Sequence, residues 1–298
     1  MITFDDFDAW ADAVRGADLR LVCDGVETRR WQLAVRQVES VVLQVGREGG
    51  GNLCYGGNTH TGTILWMPLG EPHHQSANGE ACGAGSLLVI PPGGDFCIRV
   101  RQRAHAWCSI ALPEGLAVVP RERGSHVAHV DPSLVGRLRG LVSRIAMDDS
   151  LPERATAGRG DAARRLIEAA TACLGPAGEQ ALAVGRPKIE RRDVVRRVLA
   201  ALDADPAGHR SIAGLAAAAG VHSRTLSRVF HDTFGVAPRQ YVRLRTLHTV
   251  RRALREADPS ADTVARILTR HGIWELGRFA GSYRRQFGES PSDTLRAR

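Results

Sequence analysis

Two stretches in the last third of this chain repeat one another, and the repeat restricts what that third can fold into. Ile212-Ala213-Gly214-Leu215-Ala216 leads through Ala219 to Gly220-Val221, and Val264-Ala265-Arg266-Ile267-Leu268 leads through His271 to Gly272-Ile273. The two glycines lie 52 residues apart. Beyond them Leu226, Phe230, Phe234-Gly235 and Pro238 are answered by Phe279, Tyr283, Phe287-Gly288 and Pro291, now 53 residues apart, so the second copy carries one extra residue in its turn. Each copy reads as a short helix, a turn at a glycine where φ > 0 is needed, and a second helix with an apolar stripe. Both copies are helix-turn-helix units.

The charge separates along the chain in the same way. From Arg186 to Arg298 there are 22 Lys+Arg against 11 Asp+Glu, net +11, while the remainder carries −3 of the overall +8. A generically basic protein would account for the total but not for this segregation; the basic part suits a polyanion and the acidic part does not. Of the 40 cations only Lys188 is not arginine, which reads as coding bias rather than recognition chemistry. With 298 residues, 43% of them hydrophobic, the chain can bury two cores, so two domains are expected. No apolar run approaches the roughly 20 residues that span a bilayer. The acidic start, residues 1–8, lacks the basic and apolar regions of a signal peptide. A soluble cytoplasmic protein with no membrane partner is expected. The six cysteines (Cys23, Cys54, Cys82, Cys97, Cys108 and Cys173) form no CxxC pair and fall outside the basic part, so reduced, buried thiols are expected, with no metal and no cofactor.

Residues 1–178 read as one domain, with a β-barrel over about 20–112 and helices over about 132–174. Short strands are expected at 33–38, 40–45, 61–67, 86–90, 96–100 and 104–112, broken by Gly49-Gly50-Gly51, Gly56-Gly57 and Pro91-Pro92-Gly93-Gly94. Helices follow at 132–147 and 161–174; the apolar face of the latter, with Leu166, Ala170 and Cys173, suits either a dimer seam or its own barrel. Residues 179–189 read as a linker. Seven helices are expected over 190–298: 190–203, 211–219, 223–234, 239–256, 263–271, 274–287 and 291–296. Ser211, Ser223 and Thr263 act as N-caps in this reading, and Pro238 sits at the start of the long fourth helix. The fold class is therefore α+β: an N-terminal barrel with trailing helices and an all-α C-terminal domain holding helix-turn-helix units at 211–234 and 263–287.

Recognition helices enter the major groove by their N-terminal residues. In the first copy Leu226, Val229, Phe230 and Phe234 form the buried stripe, which leaves Arg224, Thr225, Ser227 and Arg228 for double-stranded DNA. An arginine bidentate to guanine gives about 1–3 kcal/mol of discrimination. The second copy is chemically unlike the first: Arg278 is its one clear base or phosphate reader, and Glu275 is an acceptor suited to cytosine. Gly277 and Gly281 permit close backbone approach, and Trp274 reads as a packing residue. Ser211, Thr263, Arg239 and Arg243 suit phosphate, since helix N-termini and arginines favour anions.

With these residues in place, about 190–298 resembles the DNA-binding domain of the AraC/XylS family of bacterial transcription regulators. The segment from Gly272 to Tyr283 is similar to the branch that includes ethanolamine-operon regulators. The resemblance implies two reading units joined by the long helix and an N-terminal domain, often cupin-like, that binds an effector or dimerises. A homodimer, a small-molecule effector and, for an activator, RNA polymerase are the partners implied. One departure concerns metal: cupins that bind it use an HxH cluster, whereas His73 and His74 are adjacent and point to opposite faces of a strand. An organic ligand is the stronger reading, with Trp66, His73, Gln75, Trp107 and Cys108 as lining candidates.

The leading expectation is a sequence-specific regulator, an activator and not an enzyme, controlled by that effector. Two alternatives remain at this point. One is a metal-dependent cupin enzyme fused to a DNA-binding domain, with a site formed by His73 or His74 together with His60 or His105. The other is a redox switch through Cys54, Cys82, Cys97 or Cys108.

Overall fold

The computed structural model describes residues 1–27, 30–70, 74–101, 106–116, 124–147, 156–175, 191–205 and 211–297. It divides into two compact units, Met1–Leu21 with Thr28–Ala183, and Val22–Glu27 with Val184–Arg298. The expected linker at 179–189 lies outside the described residues, as do His73 and His105. Among the described residues no helix is long and apolar enough to cross a membrane.

The N-terminal elements run β1 (Ile2–Phe4), α1 (Phe7–Ala13), β2 (Ala17–Cys23), β3 (Trp31–Val38), β4 (Val41–Arg47), β5 (Asn52–Asn58) and β6 (Ile64–Pro68). They continue through β7 (Gln75–Ala77), β8 (Glu80–Ala81), β9 (Ser86–Ile90), β10 (Asp95–Val100), β11 (Ala106–Ala111) and β12 (His126–His129), then α2 (Pro132–Met147) and α3 (Thr156–Leu174). The strands form a seven-stranded sheet, ordered β1-β3-β4-β11-β6-β9-β12, and a five-stranded sheet, β2-β5-β10-β7-β8. The sheets do not close into the expected barrel, although the strand-rich, helix-trailed character is as read. The strands also reach beyond 20–112 at both ends. β1 is a three-residue edge strand held by Phe4 opposite Trp31, and β12 adds to β9 with Val127 opposite Leu88; both are too short for alternation to show.

Two further elements escape sequence patterning for identifiable reasons. β5 contains Gly56-Gly57, which read as a break. Instead a Cβ at Gly56 would meet Leu19 Cδ2 at 2.6 Å and the Asp18 carbonyl at 2.9 Å, so glycine marks a close approach inside the sheet. α1 is only seven residues long. Asp6 caps it, accepting from the Ala9 amide at 3.1 Å, and Phe7 and Trp10 anchor it on Trp31 with ring centroids 5.1 and 4.7 Å away. The apolar face of α3 is used within its own unit. Leu166, Ala170 and Cys173 share a core with Leu138 and Val142 of α2 and Leu43, Leu65, Leu87 and Cys108 of the larger sheet.

Among the described residues seven helices make the C-terminal part: α4 (Arg191–Ala204), α5 (Ile212–Ala218), α6 (Ser223–Phe234), α7 (Pro238–Glu256), α8 (Val264–Arg270), α9 (Leu276–Phe287) and α10 (Pro291–Arg296). The repeat in sequence is a repeat in geometry. Ser211 Oγ accepts from the Gly214 amide at 3.0 Å and Thr263 Oγ1 from the Arg266 amide at 3.2 Å, so both first helices are capped alike. Gly220 has φ +70° and Gly272 φ +64°. The amides that follow fold back on the helix ends in register: Val221 to the Ala216 carbonyl and Ile273 to the Leu268 carbonyl, both at 2.9 Å. Gly220 and Gly272 donate to Ala217 and Thr269 at 3.0 and 2.8 Å, completing the six-to-one and five-to-two bonds of a Schellman ending. Ser223 is not the expected cap: His222 holds that position without a side-chain hydrogen bond, and Ser223 is the first helical residue. Its neighbour's extended backbone, dictated by the glycine turn, moves the cap back by one.

α7 braces both copies. Tyr241 stacks on Phe234 at 4.8 Å and meets Phe230 edge-on at 5.6 Å, while Leu247, Val250 and Leu254 pack with Ile267, Leu268 and Tyr283. The Tyr283 hydroxyl reaches Thr294 Oγ1 at 2.8 Å, tying α9 to α10, and burial pushes its pKa up to about 12. Arg251, buried on α7, is held by Glu289 at 3.5 Å and by the Phe287 ring, 4.4 Å from its guanidinium.

Substituting the two kinds of glycine here has opposite expected outcomes. Gly220→Ala forces a side chain into the left-handed region and lowers stability by about 1–2 kcal/mol. Gly281→Ala, inside α9 with only the flexible end of Arg285 nearby, raises it by up to about 1 kcal/mol through helix propensity. Chemical denaturation of the two variants checks both signs.

Candidate nucleic-acid interface and ligand cavity

Each reading helix buries one stripe and presents the other. On α6, Leu226, Val229, Phe230 and Phe234 are buried, and Arg224, Ser227 and Arg228 are exposed with Thr225 half-buried. Many cations of this part are already engaged. Arg196 pairs with Asp193 at 2.6 Å, Arg191 with Asp232 at 3.4 Å, Arg270 with Asp262 at 2.6 Å, and Arg245 with Asp203. Arg224 and Arg228 take part in no such pair among the described residues, so their guanidinium donors are open to a nucleic-acid acceptor.

The second head differs. Trp274 was expected to pack, yet its side chain is 77% exposed, because α9 begins at Leu276 and leaves Trp274 in the turn before it. Leu276 beside it is also exposed. Glu275 and Arg278, read separately as base contacts, are brought together as an ion pair at 2.9 Å. A shallow groove between α7 and the start of α9 gathers Arg239, Arg243, Trp274, Glu275 and Arg278. The phosphate candidates Arg239 and Arg243 thus line the same face as the second head. Ser211 and Thr263 are exposed, but their hydroxyl oxygens are occupied as helix caps, leaving the hydroxyl protons and the neighbouring amides for phosphate.

A small cavity of about 60 Å³ lies within the N-terminal unit, between α1, β2 and the strands. Of the candidates, Trp66 and Trp107 line it. Gln75 is buried elsewhere with both amide atoms lacking a hydrogen bond, and Cys108 is packed in the core under α2 and α3. Neither lines the cavity, because strand alternation from sequence does not say which of two buried faces holds the space. The residues that sequence reasoning missed are Trp10, Arg15, Glu48 and Asn52.

Glu48 is the chemically unusual one. It is 4% exposed, and burial pushes its carboxyl up to about 8, against the opposing pull of Asn52 and the Trp107 indole. Those two neighbours lie close without well-formed bonds: Glu48 Oε2 and Asn52 Nδ2 are both buried with no hydrogen-bond partner. In sequence Glu48 precedes Gly49-Gly50-Gly51 and reads as a turn residue; nothing local signals its burial.

Burial also holds the thiols high. Cys82 is pushed up to about 11, and Cys54, Cys97 and Cys108 further still, so these are protonated, poor nucleophiles at neutral pH. Among the described residues no group of three His, Cys, Asp or Glu gathers as a metal site. His60 Nδ1 accepts from the Gly62 amide at 3.0 Å within its own turn.

A helix-turn-helix domain model matches residues 215–297. The probable thc operon regulatory protein of Rhodococcus erythropolis is 34% identical over 110 residues, covering 37% of this chain and 33% of that protein. XylDLEGF operon transcriptional activator 2 of Pseudomonas putida is 33% identical over 107 residues, covering 36% of this chain and 68% of that protein. A XylDLEGF operon transcriptional activator from the same organism is 38% identical over 86 residues, covering 29% of this chain and 27% of that protein. The match to the first of these relatives thus spans about a third of its length. Among solved structures, the AraC-like transcriptional activator CuxR aligns at TM-score 0.41 with 14% identity over 78% of this chain and 86% of that one. ToxT from Vibrio cholerae O395 aligns at 0.30 with 7% identity over 94% and 97%.

Two measurements probe these sites. Arg224→Ala is expected to lower affinity for the specific site by about 1–3 kcal/mol and relax preference at one base pair. Equal weakening on random DNA makes Arg224 a phosphate contact instead. Glu48 gives a pH signature of the fold. A carboxyl raised from 4.5 to about 8 contributes its stability fully below pH 4.5 and loses it as pH rises through 8. Glu48→Gln is therefore expected to flatten the fall in melting temperature between pH 4.5 and 8, and to melt higher than the parent at pH 8.

Proposed function

The chain belongs to the AraC/XylS family of transcription regulators, and on that premise we propose that it is a sequence-specific DNA-binding activator governed by a small molecule held in its N-terminal cavity. The observation that carries the DNA-binding half is the doubled unit itself. Two helix pairs, capped and turned alike, are braced on one helix, and each presents exposed residues from the start of its second member. The 19 residues of α7 give a strut of about 28 Å. That is close to the roughly 34 Å between successive major-groove faces, so the two heads suit neighbouring segments on one side of the duplex.

In this reading Arg224, Ser227 and Arg228, with Thr225 beside them, read base edges. Arg239 and Arg243 hold phosphate, and the amides after Ser211 and Thr263 add anion contacts at helix starts. Trp274 sits at the tip of the second head and supplies apolar contact, for which the thymine methyl group is the suitable partner in the major groove. Glu275 and Arg278 complete that head.

The cavity holds the effector, with Trp66 and Trp107 in its wall. Occupancy shifts the balance between DNA-competent and incompetent populations to the extent that the ligand favours one. The protein acts in the cytoplasm, as a homodimer, and as an activator it contacts RNA polymerase. The relatives it matches are regulators, and no catalytic step is proposed.

Fluorescence anisotropy on the DNA upstream of its own coding region, against random DNA at two salt concentrations, tests the reading. Selective binding whose affinity falls steeply with salt is expected, since each neutralised phosphate contributes about −0.9 to the logarithmic slope. Binding without selectivity, in the presence and absence of cavity ligands, would overturn it.

A further inference from the structure

We propose that the cavity of the N-terminal unit takes a small organic amine: a compact apolar body, of one ring or its aliphatic equivalent, whose ammonium pairs with Glu48. This rests on the reading of that cavity as the effector site and adds the ligand's chemistry to it.

The walls of the cavity are mostly apolar; the polar groups are Gln44, bonded to the Arg15 backbone and to Ser109, and Glu48 with Asn52. Three indoles, Trp10, Trp66 and Trp107, line it together with Phe96. Aromatic faces beside a carboxylate are a setting in which a desolvated cation is held well. Glu48 lines the cavity with Asn52 and the Trp107 indole close beside its carboxyl, yet Oε2 and Asn52 Nδ2 are buried without a well-formed hydrogen bond. A carboxyl placed in such surroundings weakens the empty fold, so its presence is explained by something that enters.

The charge of the surroundings decides what enters. Among the described residues lining the cavity the titratable groups are Arg15, Glu48 and Cys54. The Arg15 guanidinium already donates to the Asp12 carbonyl at 3.0 Å and is exposed at the mouth. Cys54 on β5 is a buried, neutral thiol. The strands β6, β9, β10 and β11 present no ionisable side chain to the cavity among the described residues. No internal cation balances Glu48. A neutral hydroxyl or amide would satisfy Oε2 but leave the carboxyl protonated. An anion would meet no free cation deep in the cavity. An ammonium donates to Oε2 and supplies the missing positive charge in one group.

The proton balance follows. At pH 6–7 the empty site holds Glu48 protonated; the arriving ammonium keeps its own proton, and the carboxyl proton leaves to solvent. Binding therefore releases one proton, and affinity rises up to tenfold per pH unit until Glu48 is ionised in the empty protein.

The test uses the full chain and three probes of one size: benzylamine, benzyl alcohol and benzoate. Calorimetry at pH 6.5 in two buffers of different ionisation heat gives affinity and protons released together. Benzylamine is expected to bind at least tenfold more tightly than the other two, with about one proton released, and Glu48→Gln to lose that preference while still admitting benzyl alcohol. Tighter or equal binding of the alcohol or benzoate, weakened by Trp66→Ala, would overturn the amine and leave the effector site standing. Failure of all three probes to bind at millimolar concentration would remove the cavity as an effector site and this inference with it. Because Glu48→Gln removes a destabilising buried acid, the variant is expected to fold, and its melting curve verifies that.

Discussion

A helix that ends inside a protein leaves backbone carbonyls that need donors, and here that constraint is met by a residue in the left-handed region at Gly220 and again at Gly272. Much else in the C-terminal part depends on it. The folded-back amides of Val221 and Ile273 fix the angle at which the second helix leaves the first. That angle turns Phe230 and Phe234 onto Tyr241, and Tyr283 onto the α7 leucines. Once those aromatic stripes are buried, the opposite faces have no choice but to look outward. The arginines of α6 are thus positioned by hydrophobic burial and turn geometry, not by any interaction of their own. The same holds for Gly235 and Gly288, which close the second helices at φ +62° and +78°.

The N-terminal unit obeys a different economy. Its two sheets and two trailing helices bury a continuous apolar core, with Leu43, Leu65, Leu87 and Leu138 among its fully enclosed members. Against that background Glu48 stands out as a local choice that opposes the global fold. A glutamine of nearly the same shape would sit there at lower cost in free energy. The buried Oε2 and the indoles lining the same cavity are the features on which the proposed ligand rests. The stable framework and the buried acid are therefore two parts of one arrangement.

How much of this was legible in the sequence depended on the range of the signal. The helix pairs were readable to within a residue or two, because capping, glycine turns and three-to-four spacing are local properties of Ser211, Gly220, Thr263 and Gly272. Strands with a bulky alternating run, such as β4 and β9, were readable for the same reason. β1 and β12 were not, since three or four residues hold too little pattern and their partners lie far off in sequence. β5 was hidden by Gly56, whose meaning depends on where Leu19 lies. The lining of the cavity was half visible: Trp66 and Trp107 follow from strand position, while Glu48 and Trp10 depend on tertiary burial, and Gln75 and Cys108 fell on buried faces that turn elsewhere. Trp274 was misread because indoles usually pack, and its exposure follows from where α9 starts.

The two reading heads also differ in how they reach a base. Among the described residues Arg224 and Arg228 would meet DNA, as proposed, without giving up an ion pair, whereas Arg278 would have to leave Glu275 or carry it along. Both partners are well exposed, at 82% and 69%, and such a surface pair is worth only about 0–1 kcal/mol. A bidentate arginine–guanine contact contributes about 1–3 kcal/mol. The pair therefore cannot prevent Arg278 from engaging a guanine, but it subtracts from the gain and leaves Glu275 beside the contact. There the carboxylate repels phosphate and accepts from a cytosine amino group. On the proposed reading the second head would discriminate by what it refuses as much as by what it binds, and the first head would carry the larger share of the attraction.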